Sequence, residues 1–230
     1  WIAMDAHGAA RMVPDMKTCF REFTRREDAA MALADDLQKS LSAAVQEKGQ
    51  ASLVVSGGTT PAGMFRLLSQ RNLPWDRVKV LASDERDVPP DHADRNEAMI
   101  RRELLQGAAA RAQLVSLVPP GDIPGFFDEL VLGMGADGHT ASLFPDSPEL
   151  GNVLDSVHTL EWLTTPSSPV RRISLTPRAL LQSGRISLLF FGKEKRVVYE
   201  AAESGTDLNA FPVRVVLCQE HVPVSVYWAP

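Results

Sequence analysis

The chain has 230 residues, 44% of them hydrophobic, and 24 Lys and Arg against 29 Asp and Glu give a net charge of −5. That composition supports a sizeable core and argues against a mainly disordered chain, while the acidic balance speaks against nucleic acid or an anionic membrane as the main partner but leaves room for a small anion in a locally basic pocket. Cys19 and Cys218 are too few and too far apart for a disulfide framework, no apolar run approaches the ~20 residues of a membrane span, and Trp1–His7 lacks the regions of a signal peptide, so a cytoplasmic location is expected.

Thr24-Arg25-Arg26-Glu27 has the form of a capping box. It opens a long amphipathic helix to about Lys48, which Gly49 ends. Ala51–Val55 reads as a buried strand. In Ser56-Gly57-Gly58-Thr59-Thr60-Pro61, Thr60 is a good N-cap and Pro61 a good first residue for a helix through Met64, Leu67 and Leu68. Val78–Ala82 is the next strand, and a helix runs from about Asp94 to Leu105, closed by Gly107. Further strands are expected at 113–118, 129–133, 171–175, 186–191, 213–218 and 224–227, with helices starting at Thr176-Pro177 and near Lys193. This alternation implies a three-layer α/β fold, a mostly parallel, Rossmann-like sheet with helices on both faces, in a single domain over 1–230.

One connection resists the pattern. Between the strands near Leu117 and Val131 lies Pro119-Pro120-Gly121-Asp122-Ile123-Pro124-Gly125-Phe126-Phe127-Asp128. A right-handed parallel crossover takes at least ~10–12 residues including its helix, and this Pro/Gly-rich stretch cannot supply one. Either the two strands are not a βαβ pair or residues are absent around 119–128; the second reading is adopted.

Ligands of parallel α/β sheets bind beyond the carboxyl ends of the strands, and the chemically suggestive motifs fall at such ends. Ser56–Pro61 combines exposed backbone N–H groups, hydroxyls and a helix N-terminus into a phosphate cradle. It lacks Walker or Gly-x-Gly-x-x-Gly spacing, so a nucleotide is not indicated. Ala82–Pro89 sets Asp84, Glu85, Arg86 and Asp87 after a strand, suited to a polar substrate or equally to a surface ion-pair cluster. Its spacing does not suggest a metal site. Gly133-Met134-Gly135-Ala136-Asp137-Gly138-His139 follows the strand Leu130–Leu132 and sets a His beside a carboxylate, suited to acid–base work near neutral pH. Taken alone, a Gly-rich turn with a solvated Asp and His is the commoner reading. Arg171, Arg172, Lys193 and Lys195 supply basic groups near other strand ends. His92 and His221 read as surface residues, and Ser56, Thr140 and Ser142 lack a nucleophile elbow.

The motifs together, Ser-Gly-Gly-Thr-Thr-Pro at 56–61, Asp-Glu-Arg-Asp-Val-Pro at 84–89, Gly-Met-Gly-Ala-Asp-Gly-His-Thr-Ala-Ser-Leu-Phe-Pro at 133–145, Arg-Arg-Ile-Ser-Leu-Thr at 171–176 and Gly-Lys-Glu-Lys at 192–195, resemble the 6-phosphogluconolactonases. The resemblance runs from about residue 20 to the end. The related glucosamine-6-phosphate deaminases share the Gly-Gly-Thr loop and the Asp-Gly-His turn, but Thr-Ala-Ser-Leu-Phe-Pro after His139 and the Asp-Glu-Arg motif favour the lactonases. Two departures stand out: the family normally carries a helix between the strands near 117 and 131, and it usually has Ser where this chain has Arg95.

The resemblance implies hydrolysis of 6-phospho-D-glucono-1,5-lactone. His139 would be the general base, supported by Asp137. Arg86 would stabilise the oxyanion or hold a hydroxyl, and Asp84 would position Arg86 or the sugar. The N–H groups of Gly57, Gly58, Thr59 and Thr60, with Arg172 and Lys195, would take the phosphate; Arg171 and Lys193 are the adjacent alternatives. No metal or organic cofactor is implied, and the expected partner is the phosphosugar lactone alone, bound by a monomer or weak homodimer. An amino-sugar phosphate deaminase and a non-catalytic sugar-phosphate sensor are the competing readings.

Overall fold

The computed structural model describes residues 18–166 and 168–230, with the backbone of 2–4 and 10–12. In chain order the elements are β1 (Ile2–Met4), β2 (Ala10–Met12), β3 (Cys19–Glu22), α1 (Arg26–Lys48), β4 (Ala51–Val55), α2 (Ala62–Ser69), β5 (Val78–Ala82), β6 (Asp84–Arg86), α3 (Asn96–Glu103), β7 (Gln113–Val115), β8 (Glu129–Leu132), α4 (Leu150–Leu154), β9 (Leu160–Thr165), β10 (Ser168–Leu175), α5 (Pro177–Leu180), β11 (Ile186–Phe191), α6 (Lys193–Glu203), α7 (Arg214–Leu217) and β12 (Val224–Ala229). A seven-stranded sheet runs β3-β12-β11-β8-β4-β5-β7, with every neighbouring pair parallel. Its central strands β4 and β8 are buried along their whole length, as strands covered on both faces must be. Helix α1 packs on β4, β8 and β12 and against α2, while α6 packs on β11 and α7. The layered α/β architecture expected from the alternation is the one observed.

A second sheet, β6-β10-β9, is antiparallel. The strand expected at 171–175 therefore exists but belongs to this smaller sheet, and it starts earlier, at Ser168. Its register sets Arg172 opposite Arg86 and Ser174 opposite Asp84.

Other boundaries moved for local reasons. The capping box of α1 does not form: Arg25 occupies the N-cap without a side-chain cap, and its guanidinium instead grips the Asp28 carboxylate at 2.9 and 2.6 Å. Gly49 does close that helix, at φ +78°, with its N–H on Val45 O at 2.9 Å. Helix α2 begins one residue later than expected, with Pro61 rather than Thr60 at the N-cap. The strand expected at 213–218 is the helical turn α7. The β-branched run misled there because tertiary contacts override propensity: one helical turn sends Val213 and Val216 into the core together, and the buried Arg214 donates to the carbonyls of Ala201, Ala202 and Asp207.

The Pro/Gly connection from β7 to β8 contains no helix. Strands β7 and β8 are not neighbours, since β5 and β4 lie between them. Because β7, β5, β4 and β8 all run parallel, residues 116–128 must return along the sheet as well as step sideways by three strand spacings, roughly 20 Å in all, which that stretch at about 3.3 Å per residue can span without a helix. Among the described residues no helix is long and apolar enough to cross a membrane.

Candidate active site

The carboxyl ends of β4, β5 and β8 open into one cleft of about 360 Å³. Its floor is the turn after β8. Gly135 N–H bonds His139 O at 2.9 Å, and Gly138, at φ +79°, returns its N–H to Gly135 O at 3.1 Å. Thr140 Oγ1 donates to Gly133 O at 2.9 Å and anchors the turn from beneath. Within it, Asp137 Oδ1 lies 2.6 Å from His139 Nδ1 and accepts the His139 backbone N–H at 3.1 Å. The contact that spacing alone left open is made. Gly135 makes it possible: a Cβ there would sit 2.2 Å from His139 Nδ1 and 2.5 Å from Asp137 Oδ1. Partial burial pushes the Asp137 carboxyl up, but the hydrogen bonds and charge of His139 outweigh it and hold the group below its ordinary value. The His139 ring packs 4.5 Å from the Phe144 ring, centroid to centroid.

A second wall comes from β6 and β10. Arg86 Nη1 donates to Asp94 O at 2.6 Å and Asn96 Oδ1 at 2.8 Å. Arg172 stands opposite it in register and lies 5.3 Å from the Phe144 ring centroid. Burial, and then the neighbouring Arg86 charge, lower the Arg172 pKa against the weaker pull of Asp84 and Glu85. Its buried Nε has no hydrogen-bond partner. Like charges facing each other across a strand pair are unfavourable, so this arrangement is suited to an anion lying between or beside the two groups.

The remaining sides are the Gly57–Thr60 loop and Lys195, in the first turn of α6. Lys195 Nζ donates to Met134 O at 2.7 Å; burial lowers its pKa, while Glu194 and Asp137 raise it. The pairs that sequence left open divide cleanly. Arg172 and Lys195 line the cleft, whereas Arg171 stacks 4.2 Å over Trp162 and Lys193 is exposed.

Asp84 also lines the cleft, but the hydrogen bonds of its carboxylate run to Ser83 Oγ at 2.9 Å and Ser142 Oγ at 2.6 Å. It ties the turn that carries His139 to β6 rather than gripping Arg86. Sequence reasoning gave no role to three residues at or behind this cleft: Asn96, Phe144 and Glu85. Phe144 and Glu85 stand inside the motifs at 133–145 and 84–89 and Asn96 follows Arg95, but nothing local in the sequence shows that these three meet at or behind the cleft. His92 and His221 are exposed, as expected. Among the described residues no three His, Cys, Asp or Glu side chains are grouped to hold a metal.

With this geometry in place, the comparisons with known proteins point one way. The family model described as glucosamine-6-phosphate isomerases/6-phosphogluconolactonase matches residues 24–124 and 108–228. A 6-phosphogluconolactonase of Pseudomonas putida is 40% identical over 91% of this chain and 92% of its own. One from Pseudomonas aeruginosa is 39% identical over 88% and 91%. The crystal structure of a 6-phosphogluconolactonase from Shewanella baltica superposes with a TM-score of 0.90 at 37% identity, over 93% of this chain and 98% of that one. The chain belongs to the glucosamine-6-phosphate isomerase/6-phosphogluconolactonase family.

Proposed function

We propose that this chain hydrolyses 6-phospho-D-glucono-1,5-lactone to 6-phosphogluconate, a step of the oxidative pentose phosphate pathway. The observation that carries the reading is the Asp137–His139 pair opening onto a cleft whose other walls bear two guanidiniums and a lysine. With Asp137 accepting at Nδ1, the imidazole carries its proton there and leaves Nε2 free to take a proton from water. The water attacks C1, and the oxyanion that forms is stabilised by Arg86, already held by Asn96 and the Asp94 carbonyl. His139 then returns the proton to the ring oxygen as the C1–O bond breaks. The phosphate lies on the N–H groups of Gly57, Gly58, Thr59 and Thr60, with Arg172 and Lys195 as its cationic contacts. Asp84 acts indirectly, through Ser142 and the turn that carries His139. Under this reading the protein works in the cytoplasm as one domain, a monomer or weak homodimer, with the phosphosugar lactone as its only partner.

The test generates the lactone in place with glucose-6-phosphate dehydrogenase and follows its decay, with ammonia release from glucosamine 6-phosphate as the control for the related chemistry. Acceleration over spontaneous hydrolysis is expected, and its loss by 10²–10⁴-fold in His139→Ala with phosphosugar binding retained. No acceleration by the wild-type protein refutes the reading; near-native kcat in the variant refutes the role of His139.

A further inference from the structure

Glu85 lies directly behind the cleft, has no exposed surface and does not line the cavity. Its carboxylate is saturated by backbone donors. Oε1 accepts the N–H of Arg86 at 2.7 Å and of Asn96 at 2.8 Å, and Oε2 accepts the N–H of Glu97 at 2.9 Å. The guanidinium of Arg95, itself 2% exposed, lies 3.5 Å from Oε2. One buried carboxylate thus joins strand β6 to the first turn of α3. The residue it fixes there, Asn96, does three things in the cleft. Its Oδ1 holds the Arg86 guanidinium at 2.8 Å, its Nδ2 holds Asp84 O at 2.6 Å, and its amide fills the space a Cβ on Gly57 would need.

Resting on the reaction proposed above, we propose that Glu85 is a positioning residue for it. Through Asn96 it sets the place of Arg86 relative to the Gly57 loop, and it touches no substrate atom. The charge and both oxygens matter. In Glu85→Gln one oxygen becomes an NH2, which faces either the two donors now on Oε1 or the Glu97 N–H and Arg95 on Oε2. Donor meets donor in either case, and the first turn of α3 must move. A displacement on the order of 1 Å near a reacting centre costs up to ~10² in rate.

The experiment compares wild type, Glu85→Gln, Glu85→Asp and Glu97→Gln. Glu97 binds Arg95 and Ser116 in the same cluster but makes no side-chain bond to Arg86 or Asn96, so it reports a merely structural effect. Expected are a kcat about 10-fold or more lower for Glu85→Gln with KM changed less than about 3-fold, and a lowered Tm with unchanged kcat for Glu97→Gln. Glu85→Asp keeps the charge but retracts the oxygens, and it serves the same comparison should Glu85→Gln not fold. The second readout needs no activity: the Arg86 Nε–H signal in 15N NMR, assigned by its loss in Arg86→Lys, is expected to shift and exchange faster in either Glu85 variant. An unaltered Arg86 signal overturns the inference, as does native kcat in an active enzyme. Wild-type protein that leaves the lactone untouched overturns the reaction instead, and the Arg86 signal still decides the role of Glu85.

Discussion

Asp137→Asn separates the two services the carboxylate performs for His139. The Asn oxygen can still accept both the Nδ1–H and the backbone N–H now on Asp137 Oδ1, so the ring orientation and its tautomer survive. On the mechanism proposed above, what disappears is a negative charge beside an imidazole that becomes positive as it takes the proton of water. Unit charges about 4 Å apart interact by about 4 kcal/mol at an effective dielectric constant near 20. The Asp137 side chain is 50% exposed, and solvent screening at such a site removes on the order of half of that. The remaining ~2 kcal/mol corresponds to a roughly 30-fold fall in kcat. KM is expected to stay within about 2-fold, because the interaction strengthens only as the imidazolium forms. The assay is initial-rate kinetics of lactone decay, with the spontaneous rate subtracted at every concentration. A kcat within threefold of wild type refutes the electrostatic role, and a raised KM at constant kcat assigns Asp137 to ground-state binding.

Other perturbations reach other walls of the site. Lys195→Ala removes a half-buried cation from the cleft, and KM is expected to rise about 10-fold or more with a smaller change in kcat; steady-state kinetics decide it. Gly57→Ala brings a methyl to 1.9 Å from Asn96 Oδ1, so Asn96 must leave Arg86 and the Asp84 carbonyl, and kcat/KM is expected to fall more than about 10-fold. Away from the cleft, burial pushes the Glu129 carboxyl up to about 7. The folded state then holds a proton that the unfolded chain releases near its ordinary ~4.3, so stability falls as pH rises between these values and stays low above them. Glu129→Gln is expected to raise stability at pH 8 by up to ~3 kcal/mol and to do little at pH 4; denaturant melts at the two pH values check the sign.

The parts of this molecule that sequence made plain are those governed by local rules. Uninterrupted apolar runs such as Leu53–Val55 and Leu188–Phe190 announce strands buried on both faces. Gly49 and Thr176 mark helix ends by their own chemistry, the latter accepting the Ala179 N–H as an N-cap. The cleft was legible because glycines and charges follow the strand ends that the topology gathers together. Strand β6 stayed hidden because Asp84, Glu85 and Arg86 are all charged, and their burial depends on partners distant in sequence: Ser142, Asn96 and Arg172. The same holds for α7, whose apolar residues fit strand and helix alike until Arg214 finds its carbonyls. Arg95 shows the limit from the other side. A charged residue at the start of an expected helix gives no sign in sequence of being buried, yet Arg95 is buried against Glu85 and Glu97.

The facing pair Arg86 and Arg172 has a consequence outside catalysis. Two partly desolvated cations held side by side raise the free energy of the empty cleft, and any phosphate or carboxylate that enters relieves it. On the phosphate site proposed above, an anion that binds there stabilises the native chain by mass action, by about 2.7 kcal/mol when present at about 100 times its dissociation constant. Melting temperatures taken in phosphate and in an anion-free buffer would then describe different equilibria, and variants that damage the arginine pair are expected to look more stable, relative to wild type, in the buffer that contains no anion.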